Sequence, residues 1–398
     1  MTRYTLLLPI LCLSAGVLQI HAATPLPEPP ALRVRPQTID DQIGIGYGLA
    51  VADVDGDGKD DILLADQHEI VWYHNPSWQK YRITGALTPE DHVCIAARDI
   101  DGDGRAEVAV GAGWNPGDTE NSGAVFYLMP PEDRTGMWEP IRLPHEPTVH
   151  RMHWIRMQDG TYSLVVLPLH GRGNKNTEGA GVRVLAYRPP VNPHDTWETF
   201  LLNDTLHLTH NFDPTAWEAN ATREGILLAS KEGLMRMEGS DSGWRTRQLT
   251  ARGAGETRSG KLPGGNRFLT SIEPFHGNEA VVYTTSGQDF ERAVLDNTLI
   301  QGHALATGDL LGTGWDQVVV GWRGPIPTRP GVKVGIKLFA PTDRDGSTWK
   351  LHALVDDDTM ACEDLKLADL NGDGMLDIVA CGRASKNVII YWNETGAN

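Results

Sequence analysis

Along this chain, short runs of Val, Ile, Leu and Tyr alternate with clusters of Gly, Asp, Asn and Pro, and apolar stretches of helical period are scarce. That pattern predicts an all-β fold of many short strands joined by tight turns. Four stretches, 53–61, 99–107, 309–317 and 369–377, share the form Asp-x-x-Gly-x-Gly, and each runs into an apolar strand such as Ile62-Leu63-Leu64 or Val318-Val319-Val320. A second signature is an aromatic followed five residues later by an aliphatic: Trp78/Ile83, Trp138/Leu143, Trp197/Leu202, Trp244/Leu249, Phe290/Leu295 and Trp349/Leu354. The spacing of 46 to 60 residues suits one four-stranded propeller blade per repeat.

Six such outer strands imply seven blades. The last unit supplies three strands before the chain ends, and its fourth is expected from residues 32–39, which would close the ring and leave no open edge. The predicted blades span roughly 45–85, 92–144, 148–203, 208–250, 255–296, 302–355, and 360–393 with 31–39. Blade geometry puts the Asp-x-x-Gly-x-Gly turns on one face. The segments leading into the innermost strands, and the loops between second and third strands, lie on the other.

Residues 1–23 read as an export signal: Arg3, an apolar run from Leu6 to Ile20, then Ala22 and Ala23. Pro9 and Gly16 interrupt a run too short to span a bilayer, so a secreted or periplasmic protein with no integral membrane segment is expected after cleavage. Loss of Cys12 leaves Cys94, Cys362 and Cys381, an odd number that argues against a disulfide scaffold. A net charge of −17, from 52 acidic and 35 basic residues, argues against a nucleic-acid partner.

Many of these acids sit in the repeated loops. Oxygens at loop positions one, three, five and nine, with glycines at four and six, resemble the first part of an EF-hand loop without its helices. Blade one offers Asp53, Asp55, Asp57 and Asp61; blade two Asp99, Asp101, Asp103 and Glu107; blade seven Asp369, Asn371, Asp373 and Asp377. Structural calcium is expected there, and side-chain capping of tight turns is the competing explanation. Blade six has Leu311 and Thr313 in place of acids and is expected to bind nothing.

Histidines gather on the other face, ahead of the inner strands: His92, His150, His153, His207, His210 and His303, with Tyr47 and Glu363 at the matching places of blades one and seven. The second-to-third strand loops add Trp114, Asn115, His170, Arg172, Lys231, His276, Trp322, Arg323 and Arg383. Imidazoles converging from separate blades can hold a transition metal, with arginine beside it for an anionic or enolising substrate.

The acidic repeat resembles the FG-GAP/VCBS-type propellers. The strings Glu146-Pro-Thr-Val-His150-Arg-Met-His153-Trp154, Pro168-Leu-His170-Gly-Arg172-Gly-Asn174, Thr209-His210-Asn211, Gly302-His303-Ala304 and Gly321-Trp322-Arg323 are similar to the propeller domain of the fungal aldos-2-ulose dehydratases. This resemblance implies a metal-dependent lyase eliminating water from a keto- or anhydro-sugar. It implies His150, His210 and His303 as ligands of a divalent transition metal, with zinc the expected ion. His153 or His170 would take the proton, Arg172 or Arg323 would steady the enolate oxygen, and Trp114, Asn115, Trp322, Tyr47 and His92 would contact a small sugar or oligosaccharide. The resemblance extends to the propeller alone, so the isomerase step assigned to the cupin and lectin-like regions of those enzymes is not expected here. Two alternatives stand beside this reading: a lyase acting on uronate-containing glycans, and a non-catalytic, calcium-stabilised propeller binding carbohydrate or protein. Hydrolysis by paired carboxylates has little support, because acids on this face are few apart from Glu363 and Asp364.

Overall fold

The repeated loops turn at their glycines. Gly56 and Gly58 carry φ of 83° and 84°, and Gly372 and Gly374 carry 75° and 85°, left-handed values that side chains with a Cβ rarely adopt. Each loop reverses the chain between the first and second strands of a blade. The computed structural model describes residues 25–217, 222–240, 243–287 and 289–396. The segment read as an export signal lies outside the described residues.

Seven four-stranded antiparallel sheets form a seven-bladed β-propeller. Their innermost strands are Gly48–Ala52, Cys94–Arg98, Val149–Arg156, Thr209–Thr215, Glu256–Lys261, Gly302–Gly308 and Cys362–Ala368. The ring closes as the strand count requires. Val34–Asp40 pairs antiparallel with Val388–Asn393, Val34 opposite Asn393 and Asp40 opposite Val388, supplying the outer strand of blade seven. Among the described residues no helix is long and apolar enough to cross a membrane.

The core is distributed rather than central. Second strands such as Asp61–Ala65 and Asp377–Gly382 are buried along their whole length, because both faces pack on neighbouring blades. Outermost strands such as Gly243–Gln248 are mostly exposed. Buried side chains form seven clusters, one at each seam between blades. Cys362 packs into the seam between blades six and seven and Cys381 into that between seven and one; both, like Cys94, are free thiols. The axis is left to polar side chains projecting from the innermost strands.

Candidate metal centre

Four of the seven innermost strands begin with a β-bulge. The pairing register slips between Val149 and Arg151, Thr209 and Phe212, Gly302 and Ala304, and Cys362 and Asp364. The innermost strands of blades one, two and five pair without a slip. A bulge leaves one residue out of the ladder and re-aims its side chain. The residues so displaced are His150, His210 with Asn211, His303 and Glu363, and their side chains meet at the axis.

Three imidazoles form the centre. Ligand atoms of His210, His276 and His303 all lie within 4.8 Å of one another. Nε2 of His276 is 2.6 Å from Nε2 of His210, and the His303 ring centroid is 4.7 Å from that of His276. The bulge histidines share one anchoring scheme. Nδ1 of His150 donates to the carbonyl of His210 (2.7 Å), that of His210 to Gly255 (3.1 Å) and that of His303 to Glu363 (2.6 Å). Each imidazole is thus fixed by the following blade, and its Nε2 lone pair is directed away from that bond. Carboxylate Oε1 of Glu256 also lies 3.1 Å from Nδ1 of His210. Backbone carbonyls or carboxylates behind Nδ1 are what metal-ligating histidines ordinarily have.

His276 comes from the loop between the second and third strands of blade five. Phe275 is held at a left-handed φ of 46°, and a Cβ on Gly277 would stand 2.0 Å from the carbonyl oxygen of Glu273. So tight a loop excludes a side chain at Gly277 and holds His276 against His210.

Arg323 secures the other side. Its Nη1 donates to both carboxylate oxygens of Glu363 at 2.7 Å, its Nε to Gln301 (3.1 Å) and its Nη2 to Nδ1 of His276 (3.2 Å). Glu363 also accepts from Arg383 (3.1 Å), whose guanidinium lies 5.1 Å over the ring of Tyr47, and its Oε1 is 3.8 Å from Nε2 of His303. Burial holds His150, His210 and His303 well below the usual imidazole range, and the nearby Arg151 or Arg323 charges add to it. His276 is lowered mainly by burial as well. These rings stay neutral at neutral pH, the form that binds a metal.

His210 and His303 fit a transition metal, as neutral imidazoles with Nδ1 donating to a carbonyl and Nε2 unprotonated; His276, whose Nδ1 accepts from Arg323, would have to exchange that bond before its Nε2 could ligate. The His210–His276 nitrogen separation of 2.6 Å is shorter than the spacing of roughly 3.3 Å that follows from zinc–nitrogen bonds of about 2.0–2.1 Å in a tetrahedron. These two rings therefore spread apart on loading, or else remain a hydrogen-bonded pair.

The other candidates fall elsewhere. His150 flanks the centre, its ring 4.5 Å from that of His210 and 4.9 Å from the half-buried Trp114. His153 lies three residues further along its strand, edge-on to Phe212, and burial lowers its pKa to about 3, with Lys366 and Arg258 adding. His170 bridges to Leu208 and bonds through its backbone to the Thr148 hydroxyl, without contact to the three imidazoles. Arg172 is an exposed tie from its loop to Glu120 and Glu146. Asn115 accepts the Gly117 N–H and shapes its own loop, and Tyr47 donates to Asp91 (2.8 Å). Two expectations are corrected. Trp322 offers no open face, being packed in the seam between blades five and six with Nε1 on the Lys333 carbonyl and the Lys337 ammonium over its ring. His92 is sealed in, with Nδ1 on the Asp66 carbonyl (3.0 Å) and Nε2 accepting the Leu87 N–H (3.3 Å), so neither nitrogen reaches the axis.

The acidic loops cap their own backbones. Asp53 accepts the N–H groups of Gly56 and Gly58, Asp99 those of Gly102 and Gly104, and Asp369 those of Gly372 and Gly374. Asp55 and Asp57, Asp101 and Asp103, and Asn371 and Asp373 each accept the N–H two residues on. Position nine is buried and acts as a staple. Asp61 accepts Val54 and Asn75, Asp377 accepts Leu370 and Asn393, and Glu107 accepts Ile100. Blade six makes the same bond with a neutral side chain, Gln317 to Leu311, so the staple itself needs no charge. Carboxylate oxygens of Asp53, Asp55 and Asp61, and of Asp99, Asp101 and Glu107, nevertheless cluster closely enough to hold a cation.

Seven antiparallel blades, repeated acidic turns and a closing N-terminal strand define a seven-bladed β-propeller. Residues 53–110 match the FG-GAP-like repeat and residues 95–128 the FG-GAP repeat. Over 319 residues the chain is 23% identical to aldos-2-ulose dehydratase of Phanerodontia chrysosporium, covering 71% of this chain and 34% of that protein. It thus spans about a third of its curated relative's length. Among solved structures it is similar in fold to BBS1N, crystallised in complex with ARL6DN (TM-score 0.55, 13% identity, 93% of this chain and 99% of that one). It is similar also to the Cps50 (Swd1) propeller domain of Myceliophteria thermophila (0.52, 11%, 90% and 99%). At these identities the two structures speak to the fold alone.

Proposed function

We propose that this chain is a metal-dependent carbohydrate lyase that removes water from a keto- or anhydro-sugar by β-elimination. The observation that carries this reading is the meeting of His210, His276 and His303 at the axis, two of them delivered by bulges and anchored through Nδ1. The likeness to a protein named as a dehydratase supports it.

A bound divalent metal would supply a Lewis acid for the substrate's carbonyl oxygen. The chain's own groups do the rest. Arg323, held in place by Glu363, faces the oxygen on which negative charge develops. His150, outside the set of three and with Nδ1 engaged, takes the α-proton on Nε2 as the C–H electron pair becomes part of an enolate. Re-formation of the carbonyl expels hydroxide from the β-carbon, which leaves as water once it recovers a proton. Trp114 walls the same side and offers a flat surface to a sugar ring. Export from the cell and calcium in the acidic loops belong to the same reading.

The test is a screen of keto-sugars, anhydro-sugars and uronate oligomers for an ultraviolet-absorbing unsaturated product. Its appearance with wild type and loss in His210→Ala supports the lyase; uronate turnover alone would move the substrate class to acidic glycans. A second reading, a non-catalytic binding propeller, draws on the His210–His276 hydrogen bond, which satisfies that pair without an ion. No turnover by metal-replete protein on any of these substrates would favour it.

A further inference from the structure

Blade five approaches His210 from both sides. Nε2 of His210 meets Nε2 of His276 (2.6 Å), which comes from the loop between that blade's second and third strands. Nδ1 of His210 faces Gly255 and Glu256, where the blade's innermost strand begins. Nδ1 carries one hydrogen, and the Gly255 carbonyl receives it (3.1 Å). Oε1 of Glu256 lies equally near, at 3.1 Å, yet it is buried and accepts no hydrogen bond among the described residues. The other half of this carboxylate is held. Asn211 engages its side-chain oxygen with the Phe212 N–H (2.8 Å), which turns its amide nitrogen onto Oε2 of Glu256 (2.5 Å). Arg258 stands 3.6 Å from the same oxygen. The bulge that delivers His210 therefore also delivers the residue that aims Glu256 at it.

An unpartnered carboxylate oxygen in a closed interior is costly, and the other two bulge histidines have none behind them. Nδ1 of His150 and Nδ1 of His303 each bond one backbone carbonyl, at 2.7 and 2.6 Å, both shorter than the His210 bond. His210 is also the ring with reason to move. Its Nε2 stands too close to that of His276 for both to reach one ion. His276 sits on a loop too tight for a side chain at Gly277, so the parting falls largely to His210. A small turn of the His210 imidazole carries the Nδ1 hydrogen from one residue to the next, from Gly255 to Glu256. We propose that Glu256 is the positioning residue of the loaded centre: Nδ1 of His210 rests on the Gly255 carbonyl without metal and on the Glu256 carboxylate with it. The carboxylate then lies behind a ligand ring, where it fixes the ring's orientation and raises its basicity. The inference rests on the metal centre proposed above and adds the group that decides which way its central histidine points.

The test is the zinc affinity of the full chain, measured by chelator competition in wild type and Glu256→Gln. The amide suits the metal-free state, with its oxygen accepting from Asn211. In the loaded state it sets an N–H where the Nδ1 hydrogen would turn, and affinity should fall by about 10–100-fold. Asp213→Asn changes the other carboxylate near Arg258 (3.9 Å) without touching His210, and should bind zinc as the wild type does. Should Glu256→Gln not fold, a zinc-loaded crystal structure of the wild type decides the matter, with Nδ1 of His210 expected on Glu256. Equal affinities in wild type and a folded Glu256→Gln, an equal loss in Asp213→Asn, or a loaded structure with Nδ1 still on the Gly255 carbonyl would overturn the inference and leave the metal centre standing. A wild type that binds no zinc would remove both.

Discussion

The acidic loops of blades one, two and seven and the histidine centre of blades four, five and six lie on opposite faces of the propeller and are built on opposite plans. Each acidic loop is local: its carboxylates cap N–H groups two to seven residues away, and only position nine reaches a neighbouring turn. The centre is distributed: three blades supply one imidazole each, and each bulge histidine is anchored by the blade that follows. A local unit can be lost from one blade and kept in the next, as blade six shows with Leu311 and Gln317. A distributed centre depends on the whole ring, so single changes there should remove function while those in a loop should remove stability.

That contrast is testable in order of effect. Arg323→Gln breaks the clamp on Glu363 and the contact to His276, so turnover per folded molecule should fall by about 10²–10³-fold, with a lowered Tm because buried Glu363 keeps only Arg383 as a cation partner. A drop below threefold would place Arg323 outside the chemistry. Asp61→Ala strands two backbone N–H groups, of Val54 and Asn75, and should cost about 2–4 kcal/mol in urea unfolding while turnover per folded molecule is kept. Glu107→Gln should cost under about 1 kcal/mol, because Gln317 already serves the same purpose in blade six. Comparable losses in both would mean that charge, rather than the staple, matters at position nine.

His92 gives the pH arm of the comparison. Burial lowers its pKa below the ordinary imidazole value of 6.5, so the unfolded chain takes up a proton that the native state refuses. Its contribution to stability is present above that value and is lost as pH falls through it. His92→Gln should therefore flatten the decline in Tm between about pH 7 and 5; an unchanged slope would assign the acid sensitivity elsewhere. The smallest effect is expected at Arg172→Ala. Its ion pair with Glu146 is solvent-exposed and worth about 0–1 kcal/mol, and turnover should stay within about twofold.

The propeller was legible because its signals are local. Asp-x-x-Gly-x-Gly turns, apolar strands and outer aromatics each declare themselves within a few residues, and a missing fourth strand in blade seven pointed to the N-terminal segment. The face carrying the histidines was legible for the same reason, but its membership was not. Whether a histidine ahead of an inner strand reaches the axis depends on a bulge, which leaves no mark in composition. His92, in a blade whose innermost strand starts without one, is buried against backbone instead. His276 sits in a loop whose approach to His210 depends on Phe275 and on the curvature of the ring. Trp322 departs from the sequence expectation because its strand continues far enough to carry the indole into the seam.

The most direct measurement is the metal content of purified wild type beside His276→Ala, with calcium determined in the same samples. About one transition-metal ion per chain in the wild type, lost in the variant while calcium is unchanged, is the expected outcome. A wild type free of transition metal after reconstitution, or a folded His276→Ala that retains it in full, would contradict the centre described here.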